Sequence, residues 1–131
     1  MDDDIGRNNS IAQANAFLGQ LAAGAVFGCA GEVECPRPLS TIQLSDGFAL
    51  LEKQIRRVAT VLMNPQDYQE LRKYGTNELE PETQAKWLKR GCFSWVWGAY
   101  IIINREVTEG VVYLLAEENG EGTLVSVLRV K

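Results

Sequence analysis

Val58-Ala59-Thr60-Val61-Leu62-Met63-Asn64-Pro65-Gln66-Asp67 joins two patterns within ten residues. The first part is a continuous apolar run, interrupted only by Thr60 and rich in β-branched side chains, as a strand covered on both faces requires. The second part is a helix start. Asn64 offers a capping oxygen, Pro65 takes the first helical position where its missing N–H costs nothing, and Asp67 puts an acid in the first turn. The stretch predicts a central strand that runs directly into a helix over residues 65–73.

Downstream, Gly75-Thr76-Asn77-Glu78 reads as a loop, and Glu80-Pro81-Glu82 repeats the helix-start pattern. That helix carries Thr83, Trp87 and Leu88 and closes on Lys89-Arg90 and Gly91. Strands are expected over residues 93–97, 100–104, 111–116 and 123–130, separated by turns at Gly98, 105–110 and 117–122. The last strand alternates, with Leu124, Ser126, Leu128 and Val130 on one side and Val125, Val127 and Arg129 on the other, so one face is expected to meet water. These strands are expected to form a meander.

Upstream, Ser45 or Asp46 can cap a helix that places Phe48, Leu51, Ile55 and Val58 on one stripe, with Glu52 and Arg56 as an i,i+4 pair on its wet side. Residues 27–43 are rich in chain breakers and read as a long loop, from which a protruding sub-domain could form. This loop, with Phe27 and Val33, is the first candidate for an interaction surface. A helix over residues 8–26 has Ile11, Ala14, Leu18, Leu21 and Ala25 on one face. Small residues elsewhere on it (Ala12, Ala16, Gly19, Ala23) allow another element to approach closely. Asp2-Asp3-Asp4 reads as a frayed acidic tail. The order of elements implies a single α+β domain, with helices packed on a small mixed or antiparallel sheet.

The 131 residues are 46% hydrophobic and 23% charged, the profile of an ordinary globular domain. A chain of this length buries about two thirds of its unfolded surface, so a core needs neither metal nor disulfide. The net charge of −4 argues against nucleic acid as a specific partner. The absence of histidine removes the commonest general base and the imidazole metal ligands, which lowers the expectation of an enzyme. An acidic N-terminus and the lack of a long apolar run point away from a signal peptide and from a membrane span, so a soluble, non-secreted chain is expected.

Cys29, Cys35 and Cys92 could supply thiolates, with Glu32 or Glu34 adding an oxygen, but their spacing is wide for structural zinc. A Cys29–Cys35 disulfide is an alternative, and unpaired thiols are the ordinary state. No metal or cofactor is expected. The acids at Glu80, Glu82, Glu117 and Glu118 read as solvated surface. Gly120-Glu121-Gly122 lacks the continuation of a phosphate loop and reads as a turn. Trp87, Trp95 and Trp97, beside Phe93 and Tyr100, fit a sheet-face cluster; the rival readings are a subunit interface and, against the acidic charge, stacking on a single strand of nucleic acid.

Several segments together resemble a known family. They are Val58-Ala59-Thr60-Val61-Leu62-Met63-Asn64-Pro65-Gln66-Asp67-Tyr68-Gln69-Glu70-Leu71-Arg72, then Glu82-Thr83-Gln84 with the terminating Gly91, then Trp97-Gly98-Ala99-Tyr100-Ile101-Ile102-Ile103, and Glu109-Gly110-Val111-Val112-Tyr113-Leu114-Leu115-Ala116-Glu117. The order is similar to the C-terminal half of tailed-bacteriophage major capsid proteins and their encapsulin-like relatives, in which a strand ending Met-x-Pro-x-x-Tyr enters a short helix. The resemblance covers residues 44–118, with a weaker fit of helix 8–26 to the family's spine helix. It implies a capsid-like fold without the family's N-terminal arm and extended loop. It also implies a structural, shell-forming subunit, or a fragment of one, that forms homo-oligomers with copies of itself or a related shell protein. Phe27, Val33, Trp95, Trp97 and Tyr100 are the candidate interface residues. The alternative is a soluble adaptor or ligand-binding domain that uses the aromatic cluster around Trp97.

Overall fold

The computed structural model describes residues 2–75, 93–96, 98–118 and 122–131. In chain order the elements are α1 (Asp2–Ala22), β1 (Gly28–Cys35), α2 (Thr41–Glu52), β2 (Val58–Met63), α3 (Pro65–Gly75), β3 (Phe93–Val96), β4 (Ala99–Ile103), β5 (Val111–Ala116) and β6 (Leu124–Val130). The strands form one six-stranded mixed sheet in the order β1-β6-β5-β2-β4-β3. The fold is α+β, with α1 on one face of the sheet and α2 on the other. The helix expected after Glu80, the loop before it, Trp87, Cys92 and Trp97 lie outside the described residues.

β2 is the central strand. It pairs parallel with β4 (Thr60 with Tyr100 through Met63 with Ile103) and antiparallel with β5 (Leu62 with Tyr113, Val61 with Leu114). The C-terminal strands are therefore not a simple meander, because β2 is inserted between β4 and β5. A strand apolar on both faces loses least at the centre, where both edges and both faces are covered. The connection from β4 to β5 crosses the end of β2, held by Asn104 N–H to Met63 O at 3.0 Å and Asn64 Nδ2 to Val107 O at 2.8 Å. Asn64 also caps α3, its Oδ1 accepting the Gln66 N–H at 2.9 Å.

Alternation along the strands divides the core. Val58, Val61 and Met63, with Val112, Leu114 and Leu128, pack against Leu44, Phe48 and Leu51 of α2 and Leu71 of α3. Leu62, Ile102, Leu115, Val125 and Val127 pack against Ala14, Phe17 and Leu18 of α1. The last strand alternates between the two sides, but the face expected to meet water is largely covered, because Val125 and Val127 are buried under α1 and Arg129 is the exposed member. Beyond the reach of α1, Arg129 Nε meets Glu32 Oε1 at 2.7 Å and Lys131 Nζ meets Glu34 Oε1 at 2.8 Å. Exposed pairs of this kind contribute little and weaken with salt.

The largest correction concerns residues 27–43. Most of the expected loop is the strand β1, which pairs parallel with β6 from Gly28 with Leu124 to Cys35 with Val130. It is built into the sheet and does not protrude. Glu32-Val33-Glu34-Cys35 alternates as an edge strand does, with Val33 and Cys35 toward the core. Cys29 is exposed and Cys35 buried, and both are free thiols. They stand at opposite ends of β1, roughly 20 Å apart at the rise of a strand, beyond the span of a disulfide.

The helices shift as well. α2 starts before Ser45, with Ser40 as its extended N-cap and its N–H donating to Gln43 Oε1 at 3.1 Å. α2 also ends before Ile55 and Arg56, so Ile55 leaves the expected stripe and Glu52 and Arg56 do not face each other along a helix. α1 begins at Asp2, where a frayed tail is expected; acids in a first turn complement the helix dipole. Its buried positions are Ser10, Ala14, Phe17 and Leu18, whereas Ile11 and Leu21 point outward.

Candidate functional site

Two hollows and one buried charge cluster mark the surface. The larger hollow is a groove of about 650 Å³ between the N-terminal half of α1 and the beginnings of β2 and β4, lined in part by Gln13, Arg57, Tyr100 and Glu117. Its origin is a β-bulge. The register of β2 against β5 slips between Val58 and Thr60, which leaves Ala59 unpaired with β5. Polar residues of α1 meet that irregularity: Ser10 Oγ donates to Ala59 O at 3.3 Å, and Gln13 Nε2 donates to Ala116 O at 2.8 Å. Gln13 Oε1 in turn accepts the hydroxyl of the fully buried Thr60 at 2.6 Å. This explains why α1 turns Ser10 inward in place of Ile11. Gly6 lets the helix cross Tyr100, since a Cβ there would stand 2.9 Å from the ring.

The floor of the groove is thus satisfied internally, and its exposed charges, Arg57, Glu117 and Glu118, stand at the rim. Replacing Thr60 by valine keeps the volume and orphans Gln13 Oε1. We expect a loss of about 1–2 kcal/mol in urea unfolding, and adding Gln13→Leu should cost less than the same change in the wild type, because the Thr60 bond is already gone and the donor to Ala116 O is what remains to lose.

The smaller hollow, about 310 Å³, lies at the end of α2 and is lined by Phe48, Glu52, Ile55, Arg56, Arg57 and Val58. The Arg56 guanidinium does not open into solvent; Nη2 donates to Glu117 O at 2.9 Å and Gly122 O at 3.2 Å, tying α2 to the turn before β6. Ile55 beside it is 93% exposed.

The charge cluster is centred on Asp67, which the sequence presents only as a first-turn acid. Its carboxylate is fully buried and accepts the Gly110 N–H at 2.7 Å and Arg37 Nη2 at 3.3 Å. Glu70, one turn on, accepts Arg37 Nη1 at 2.6 Å and the Leu39 N–H at 2.5 Å. Gly110 has φ 82°, and a Cβ there would stand 2.9 Å from Val130 O. Three chain segments therefore meet at one carboxylate, the β1–α2 connection, α3 and the turn before β5, and that turn is tied to the end of β6 by the Val130 N–H donating to Gly110 O at 2.7 Å. Burial pushes the Asp67 carboxyl above its ordinary range, against the lowering influence of Gly110 and Arg37. Sequence spacing gave no warning of this, because Arg37, Asp67 and Gly110 are remote along the chain.

The candidate interface residues do not converge. Val33 packs on the α2 side of the sheet, and Phe27 and Tyr100 on the α1 side. Phe27 stacks near the C-terminal part of α1, its ring 4.7 Å from that of Phe17, whereas Tyr100 lies under Gly6 near the other end of that helix. Trp95 on β3 is the register partner of Tyr100. Phe27 and Tyr100 are thus half-buried parts of the fold. Among the described residues, no group of His, Cys, Asp and Glu is arranged to hold a metal, and no helix is long and apolar enough to cross a membrane. In comparison with known proteins, no family model matches the chain, and neither a curated protein nor a solved structure does.

Proposed function

We propose that the chain is a structural subunit of the capsid-like, shell-forming kind, acting by association with copies of itself or with a related shell protein. The observation that carries this reading is the contiguity of the resembling segments. Met63-Asn64-Pro65-Gln66-Asp67-Tyr68 joins the central strand to a capped helix, and the segments containing Gly98-Ala99-Tyr100 and Gly110-Val111-Val112-Tyr113 supply the strands on its two edges. The rigid sheet suits a building block that needs shape complementarity.

Negative-stain images of the concentrated chain, alone and mixed with a related shell protein, test the reading. Regular multi-subunit particles are expected; dispersed monomers in both samples overturn it. A second reading, a ligand-binding domain, is favoured by the groove that opens beside Gly98 and Tyr100. A stoichiometric small molecule retained in native mass spectrometry, lost when Tyr100 is replaced by alanine, would support that reading instead.

A further inference from the structure

The end of α2 is closed by two backbone bonds, Ile55 N–H to Glu52 O at 2.9 Å and Arg56 N–H to Leu51 O at 3.1 Å. This is the Schellman pattern, which places Ile55 at the position where a helix favours glycine. Its φ is 57°, and among the described residues it is the one non-glycine residue with a positive φ. A β-branched side chain is strained there. Burial within the chain does not offset the strain, because Ile55 is 93% exposed. Val26 is equally bare, at 97%, but its φ is not positive. Strain held by an exposed apolar side chain points to a use outside the chain.

Next to this projecting side chain is the hollow of about 310 Å³, with the buried Phe48 and Val58 in its lining and the exposed Glu52 and Arg57 at its margin. Knob and hole therefore share one patch, and the exposed charges in its lining are one acid, Glu52, and one base, Arg57, the third charge, Arg56, being buried against the carbonyls of Glu117 and Gly122. Such a surface complements itself under a twofold axis: the knob of each copy meets the hole of the other, and each acid meets the opposite base.

We propose that the C-terminal turn of α2 is a twofold contact between two copies of this chain, with Ile55 of each copy seated in the hollow of the other and Glu52 paired with the opposite Arg57. The contact rests on the self-association reading and gives it a specific surface.

Its test uses the intact chain and four variants: Ile55→Gly, Glu52→Arg, Arg57→Glu and the double charge reversal. Melting and sedimentation are both read. Ile55→Gly relieves the strained backbone, so its melting temperature should rise by about 2–5 °C while its dimer dissociation constant increases at least about tenfold. Opposite signs in one variant separate an interface role from a folding defect, and Ile55→Asn, also tolerant of positive φ, should weaken the dimer in the same way. Each single charge reversal should weaken association, and the double reversal should restore it. Wild-type association with an unchanged dissociation constant in Ile55→Gly overturns this contact and leaves the shell reading standing. A wild-type chain that stays monomeric overturns the contact as well, and the shell reading falls with it only if the chain also fails to join particles of a related shell protein.

Discussion

Replacing Leu62 by alanine is expected to cost about 3–4 kcal/mol, within the range for truncating a fully buried leucine. Leu62 is completely buried on the central strand, and its side chain faces α1. The helix is held by few apolar groups: Ala14, Phe17 and Leu18 are its buried hydrophobic residues. It is also attached through the polar pair Ser10 and Gln13 on the bulged backbone. Leu62→Ala should therefore do more than lower the unfolding midpoint. Amide exchange should accelerate through α1 ahead of α2, because α2 keeps its own cluster with Leu44, Phe48, Leu51 and Leu114. Uniform acceleration through both helices would show that α1 has no separate opening.

The second large effect belongs to Asp67. Alanine at this position removes the acceptor for the buried Gly110 N–H and one of the two carboxylates on Arg37, and a loss of about 2–3 kcal/mol is expected. Asparagine keeps an acceptor for Gly110 without the buried charge, so Asp67→Asn should cost much less. The pH dependence separates the two contributions. Burial raises the Asp67 carboxyl above its ordinary 3.8, so the folded chain holds that proton more tightly than the unfolded chain does. The corresponding stability is fully present in acid and is lost as the pH rises from about 3.8 through the raised value. Across that interval the wild type should lose stability relative to Asp67→Asn in urea unfolding. Two parallel profiles would mean that Arg37 and Gly110 compensate the burial completely.

Most of the sheet was readable because its signals are local. The apolar run of β2, the Asn64-Pro65 cap of α3 and the β-branched runs of β4, β5 and β6 each specify an element without reference to the rest of the chain. What escaped was set by distant partners. β1 carries two glycines and depends on β6 for its pairing, although the alternation from Glu32 to Cys35 was a usable sign. Ser40 and Gln43 form a helix-start pair that competes with the capping residues Ser45 and Asp46 a few residues further on. α1 could not be oriented by hydrophobicity alone, because the bulge at Ala59 draws Ser10 and Gln13 inward and turns Ile11 out. The Asp67 cluster joins segments that have no common sequence pattern, and Ile55 looked like one more apolar member of a helix stripe.

Those misplaced residues change where association should be sought. Phe27, Val33 and Tyr100 are occupied in building the two sides of the core. Ile55, Glu52 and Arg57 instead meet at the end of α2 with an apolar side chain exposed beside a hollow. A surface of this kind is the feature that a self-associating subunit needs and an isolated domain does not.

Sedimentation equilibrium of the intact chain over a wide concentration series is the most direct measurement. A weight-average mass that climbs from 14.5 kDa toward multiples of it as concentration increases is the predicted result. A mass that stays at 14.5 kDa throughout would contradict self-association.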